Sequence, residues 1–240
     1  MKVLIVIPAY NEEKIIKANL IKTIQFLKEN LKADDYQIVL ADNNSKDNTK
    51  EITIGLMKEY PEIKYFFAPQ PGKGNAVISA WQHYQNDFDY FIFMDADLAT
   101  DLKGLILLVD GLKQGNDLVI GSRYLPDSRV KRTMGRRIFS LAYRLFIKIL
   151  LKTKIKDMPC GFKAINQKIV RQILPLIQNH SFFFDTELVY LAEKQSYQIK
   201  EIPVIWQEPR TKENKSRVNL AGVSWQYLKE LWRLRTKNKS

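Results

Sequence analysis

Short apolar runs alternate with stretches of helical periodicity through the first half of the chain. Residues 2–7, 36–41, 64–68, 90–94 and 117–120 are dense in Val, Ile, Leu, Tyr and Phe, the mark of strands with buried faces. Between them, residues 11–30 carry Ile15, Ile16, Leu20, Ile24 and Leu27 at helical spacing, and residues 46–60, 74–84 and 102–114 read as further helices. Strands alternating with helices predict a mostly parallel sheet covered on both faces, an α/β fold. Past residue 120 the pattern changes. Residues 127–137 are polar and basic and read as a mobile loop, and residues 138–151 and 220–235 read as helices. The tail after Arg235 has the look of disorder. No linker or repeat divides the 240 residues, so the expectation is a single domain over 1–240, with a first half 1–120 and a second half 121–240.

Charge separates the two halves. The net charge is +12, yet residues 1–120 hold 13 Lys, no Arg and 17 acids, while residues 121–240 hold 25 Lys and Arg against 9 acids. From Arg123 to Lys156 there are 11 basic residues and one acid, Asp127. Such asymmetry points to a large anionic partner for the second half, nucleic acid or a membrane surface. The single cysteine, Cys160, excludes an internal disulfide and fits a reducing compartment. Residues 1–8 read as a first strand rather than a signal segment. No stretch reaches the roughly 18 apolar residues of a transmembrane helix.

The chemistry concentrates in the loops after the strands. The run Tyr90-Phe91-Ile92-Phe93-Met94 ends in Asp95-Ala96-Asp97. In an α/β sheet, ligands bind outside the carboxyl ends of the strands. Two carboxylates there are costly to hold together unless compensated, and a divalent cation carrying phosphates compensates them well. Three more polar loops follow strands: Pro8-Ala9-Tyr10-Asn11-Glu12-Glu13, Asp42-Asn43-Asn44-Ser45-Lys46-Asp47-Asn48-Thr49 and Pro71-Gly72-Lys73-Gly74-Asn75-Ala76. Turn chemistry alone explains any one of them. Four on one sheet edge build a site. Gly72 and Gly74 flank Lys73 at a helix start, where free N–H groups favour anions.

In order and spacing these four motifs resemble the family 2 glycosyltransferases, which have the GT-A nucleotide-sugar fold. The resemblance implies that Pro8, Tyr10, Glu12 and Asp42 line the nucleoside pocket, that Lys73, Asp95 and Ala96 lie at the donor, and that Asp97 ligates Mg²⁺ or Mn²⁺ on the diphosphate. In the second half, Gly121-Ser122-Arg123-Tyr124, Cys160-Gly161-Phe162-Lys163, Phe184-Asp185-Thr186-Glu187-Leu188 and Ile202-Pro203-Val204 look like the polyprenyl- and dolichyl-phosphate sugar synthases. This implies an inverting, metal-dependent transfer of one hexose from GDP-mannose or UDP-glucose to a lipid monophosphate. The chain departs from the mannose synthases at Ala99, where a ligating side chain often stands. The stretch from Ala96 to Thr100 is more similar to the glucose synthases.

A lipid phosphate is already anionic, so the nucleophile needs no strong general base. Cationic groups must instead hold two repelling phosphates together, and the guanidinium fork matches phosphate oxygens. Arg123, directly after a strand, is the first candidate for both catalysis and acceptor binding. Arg136, Arg137, Arg210 and Arg217 follow, with Asp185 and Glu187 placed to face the sugar or the acceptor. In the helix at 138–151, Arg137, Arg144, Lys148 and Lys152 mark a basic stripe beside an apolar face. With Trp225, Tyr227, Leu228, Leu231 and Trp232 in the last helix, this suits a membrane interface. Family members often carry C-terminal membrane spans; none is read in this sequence, so attachment here is expected to be peripheral, on a cytoplasmic membrane face, or through a membrane-protein partner. Three competing readings are a transferase acting on a soluble or cell-envelope glycan, a basic nucleic-acid-binding module, and a membrane scaffold with an inactive transferase domain. The nucleic-acid reading leaves the donor motifs unused, and no nucleic acid is expected as a partner. The intact Asp95/Asp97 pair argues against the scaffold.

Overall fold

Seven strands form the central sheet, in the order β3-β2-β1-β4-β7-β5-β8. They are β1 (Val3–Ala9), β2 (Tyr36–Asp42), β3 (Ile63–Phe67), β4 (Tyr90–Met94), β5 (Leu118–Ser122), β7 (Phe162–Asn166) and β8 (Ile199–Pro203). A separate pair joins β6 (Arg129–Lys131) to β9 (Ile205–Gln207). The helices are α1 (Ile16–Asn30), α2 (Thr49–Glu59), α3 (Lys73–His83), α4 (Gly104–Lys113), α5 (Met134–Leu151), α6 (Gln167–Gln172), α7 (Phe184–Lys194) and α8 (Leu220–Lys237). This computed structural model describes the backbone of residues 1–31, 36–131, 134–208 and 220–237; side chains 134, 136–139, 142, 220–226 and 237 lie outside the described set.

Every pairing in the large sheet is parallel except those of β7, which runs antiparallel between β4 and β5. Strands of both halves therefore share one sheet. The apolar runs of β1, β2, β4 and β5 are buried on both faces, which is why they read as continuous rather than alternating. Trp81, Phe91, Phe93, Phe162, Phe183 and Phe184 are the largest wholly buried apolar side chains. Trp81 meets Phe93 edge-on at 5.9 Å, and Phe93 meets Phe184 at 5.3 Å, tying α3 and α7 to β4 through one ring.

Four expectations need correction. The helix expected from residue 11 begins at Ile16, because Asn11 is in the left-handed region at φ 55° and residues 12–15 form a turn. The polar stretch at 127–137 contains strand β6 and the start of α5. Its register partner β9 is equally short, with exposed residues flanking a central half-buried one, so neither has an apolar run to signal it. Helix α8 continues through Lys237, past the point where order was expected to end. The N–H groups of Gly74 and Asn75 donate to the carbonyls of Ser181 and His180, at 3.1 and 2.9 Å, and are not held open for an anion. The glycines allow that close approach: a Cβ on Gly74 would stand 2.8 Å from the His180 carbonyl carbon, and one on Gly72, at φ 128°, would overlap the His180 oxygen.

Candidate active site

Strand order reverses between β1 and β4, and the crevice of an open α/β sheet lies at such a switch point. The loops after these two strands are the first and fourth motifs. Asn19 of α1 donates to the Ala96 carbonyl at 2.8 Å, fixing the acidic loop against the helix that follows β1. Leu98, at φ 50°, turns the chain, and the Ala99 N–H donates to Asp97 Oδ1 at 3.0 Å.

Much of the polar chemistry in the first two loops serves loop architecture. The N–H groups of Asn11, Glu12 and Glu13 donate to Ser45 Oγ, Thr49 Oγ1 and Asp47 Oδ2 at 2.9–3.1 Å. Asn11 and Glu13 accept in return from the Lys46 and Asn48 N–H groups, at 2.7 and 3.0 Å. This zipper places Pro8 and Tyr10, the latter 49% exposed, beside Asp42 at the ends of paired strands. Asp42 is buried and accepts from the Ser45 N–H at 2.9 Å and the Tyr65 hydroxyl at 2.7 Å. Burial, and then the bond to Asp42, raise the Tyr65 pKa, so that phenol remains a donor.

Two ion pairs stand near the Phe93 ring, one partly exposed and one buried. Lys73 Nζ is 2.5 Å from Asp95 Oδ1 and 5.2 Å from the Phe93 centroid. Lys163 is wholly buried on β7, 3.5 Å from Asp185 Oδ2 and 5.6 Å from the same ring, and also donates to the Cys160 carbonyl. Asp185 is buried at the start of α7 and accepts from the Thr186 hydroxyl at 3.3 Å. Burial opposes the Lys73 charge, but Asp95 and Asp185 outweigh it and raise its pKa, so the ammonium is retained at neutral pH. Gly161 makes room for this arrangement, since a Cβ there would overlap Asp95 Oδ2. Burial pushes the Cys160 thiol up to about 12, leaving it inert.

The donor set suits Mg²⁺ or Mn²⁺ bound with phosphate. Asp95 is already neutralised by Lys73, and no cluster of three His, Cys, Asp or Glu side chains occurs among the described residues. A cation would then take Asp97, substrate oxygens and water, the pattern Mg²⁺ prefers. Ala99 offers no side-chain ligand there.

The acceptor candidates divide. Arg123 N, Nε and Nη2 all donate to the wholly buried Asp157 at 2.8 Å, leaving Nη1 of the fork. Burial lowers the Arg123 pKa, but Asp157 more than restores it and the group stays charged. Glu187 is buried away from Asp185: it accepts from the Gln178 and Asn179 N–H groups at 3.2 and 2.8 Å and pairs with Arg233 at 2.9 Å. It thereby ties the segment before α7 to α8. The side chains of Arg136 and Arg137 lie outside the described residues, as do Arg210 and Arg217 entirely. Sequence reasoning assigned no role to Asp157 or Lys163. Lys163 had a signal, a charge inside an apolar strand.

A mixed sheet of this order, with a carboxylate pair at its switch point, defines a protein of the GT-A class, and solved structures agree. Glucosyl-3-phosphoglycerate synthase from Mycobacterium tuberculosis, in complex with Mn²⁺, UDP-glucose and phosphoglyceric acid, superposes with a TM-score of 0.71 at 19% identity, over 96% of this chain and 78% of that one. Its complex with Mg²⁺ and UDP gives a TM-score of 0.69, also at 19% identity, over 95% of this chain and 76% of the other. The model of glycosyl transferase family 2 matches residues 4–174, and the chain belongs to that family. A dolichyl-phosphate beta-glucosyltransferase of Dictyostelium discoideum is 31% identical over 97% of this chain and 76% of its own length. That of Saccharomyces cerevisiae is 32% identical over 85% of this chain and 66% of its own length. The glycosyltransferase AglD of Haloferax volcanii is 31% identical over 98% of this chain, which spans only 38% of that protein.

Proposed function

We propose that this protein transfers glucose from a nucleotide sugar, UDP-glucose ahead of GDP-mannose, to a polyprenyl or dolichyl phosphate. The reading rests on one observation above others. Similarity to the dolichyl-phosphate beta-glucosyltransferases runs through the second half of the chain, where an acceptor would bind, as well as through the donor motifs. The two halves would act as one catalytic unit, in keeping with the single sheet they share. A β product from an α-linked donor would mean inversion in a single displacement.

In this reading Pro8, Tyr10, Glu12 and Asp42 receive the nucleoside, and Asp97 would hold Mg²⁺ or Mn²⁺. The cation would supply neutralisation of the departing diphosphate. Lys73 fixes the Asp95 carboxylate beside it, and Lys163, near the same Phe93 ring, fixes Asp185. The acceptor phosphate attacks as an anion, so the residues must orient it rather than deprotonate it. Incubating the purified protein and polyprenyl phosphate with radiolabelled nucleotide sugars tests this. Counts should enter the organic phase from one donor. Counts confined to the aqueous phase for every donor would refute it.

The acceptor tail implies a bilayer, and α5 offers a face to one. Ile147, Leu150 and Leu151 pack inward, while Leu141, Leu145, Phe146 and Ile149 are 41–66% exposed beside the exposed Lys148 and Lys152. On α8, Leu228 and Trp232 are exposed, Trp232 at 61%. An outward apolar stripe flanked by lysines suits an anionic membrane surface better than water, nucleic acid or a soluble glycan. No helix among the described residues is long and apolar enough to cross a membrane. The proposed attachment, carried by this outward face, is peripheral, on a cytoplasmic face or beside a membrane-protein partner. Arg144 is partly engaged elsewhere, 4.6 Å over the Tyr124 ring. Each basic residue near the surface contributes about 1 kcal/mol, screened by salt. Replacing Lys148 and Lys152 by Glu should therefore reduce flotation with anionic vesicles at low salt. It should also lower activity on long-chain acceptors more than on a short, soluble prenyl phosphate. Wild-type protein that fails to float at low salt would refute docking.

A further inference from the structure

The two helices with the outward apolar face also reach inward. Tyr143 of α5 and Tyr227 of α8 meet ring to ring, 5.7 Å between centroids. Tyr227 stands edge-on to Phe183 at 5.3 Å, two residues before Asp185. Both phenols lie in the field of the Asp185 carboxylate, and Tyr227 also in that of Asp95. Burial first, and neighbouring groups second, raise both pKa values, so both hydroxyls keep their protons at neutral pH.

The Tyr143 hydroxyl is buried and has no hydrogen-bond partner among the described residues. A buried polar group left unpaired costs stability and calls for an explanation. Tyr36, Glu62, Trp81 and Ser122 also carry such an atom, so an unpaired atom by itself assigns nothing. Tyr143 differs in combining the unpaired hydroxyl with a chain of ring contacts, through Tyr227 to Phe183, that leads to the start of α7 and Asp185.

We propose that the Tyr143 hydroxyl donates a hydrogen bond to the acceptor phosphate. This rests on the lipid-phosphate reading above. A phosphate anion only accepts hydrogen bonds, and the carboxylates Asp95, Asp97 and Asp185 add acceptors; donors are the scarce resource on that side. Arg123 has Nε and Nη2 engaged by Asp157, and Lys73 and Lys163 each hold a carboxylate. A neutral phenol midway along α5 supplies a donor without adding another buried charge. A sugar hydroxyl needs it less, because it can donate to the carboxylates itself.

The test is Tyr143→Phe, which keeps the ring stack and removes only the hydroxyl. KM for polyprenyl phosphate should rise about tenfold, as for a lost bond to a charged group, with KM for the nucleotide sugar unchanged. The melting temperature should be equal or up to about 4 °C higher, since an unpaired buried group has been removed. A merely structural hydroxyl would give the opposite pattern, lower melting and loss on both substrates. That result, or an unchanged KM for the lipid, would overturn the proposal. Wild-type protein inactive on every lipid phosphate would instead overturn the reading beneath it.

Discussion

Replacing Asp97 by Asn or Ala should abolish sugar transfer and leave the fold intact. Asp97 is half-buried at the edge of the sheet, and its bond to the Ala99 N–H closes a local turn that Asn can also close. The charge matters more than the shape. Removing a principal ligand costs several kcal/mol of charge stabilisation, on the order of a 10³-fold loss in turnover or more. Asp95 cannot substitute, because Lys73 occupies it at 2.5 Å. Far-ultraviolet circular dichroism and melting should match wild type within about 2 °C, as for a change outside the core. Wild-type turnover of either variant in Mg²⁺ would remove Asp97 from the metal role.

The second large effect concerns stability. Asp157 is wholly buried and takes three bonds from Arg123 at 2.8 Å, while its own N–H donates to Glu201 at 3.1 Å. Asp157→Ala leaves a buried guanidinium unpaired, which costs about 3–5 kcal/mol. For a chain of this size the melting temperature should fall by about 10 °C. Arg123→Lys should also be impaired, because a point charge does not reproduce the fork. Replacing both, as Arg123→Met with Asp157→Leu, should recover much of the stability while leaving lipid transfer low if Nη1 serves the acceptor. Full activity in that double variant would assign the pair to stability alone. An Asp157→Ala protein melting with wild type would refute the ion-pair account.

What the sequence revealed follows from what each element needs. Strands β1, β2, β4 and β5 are buried runs, and β3 a half-buried one, whose hydrophobicity is visible without context. The loops after them were legible because turn residues and carboxylates sit at strand ends in a fixed order. Strands β6 and β9 were not, since three exposed or half-exposed residues carry no period. The antiparallel course of β7 is set by where its neighbours leave a gap, and no local pattern encodes direction. Arg123 was conspicuous by its position, but its partner lies 34 residues away at Asp157, and sequence spacing gives no sign of that pairing. Glu187 looked like a partner for Asp185. Two residues, about half a turn of helix, separate their roles: Asp185 faces Lys163 in the core, while Glu187 holds the preceding segment and Arg233.

The central claim is transfer to a lipid phosphate, and mass spectrometry of the lipid extract tests it most directly. With UDP-glucose, Mg²⁺ and polyprenyl phosphate, wild-type protein should yield a lipid phosphate carrying one hexose, with one UDP released per product. The Asp97→Asn protein should yield neither. UDP release without a glycosylated lipid, or a hexose recovered only on a soluble acceptor, would contradict the account.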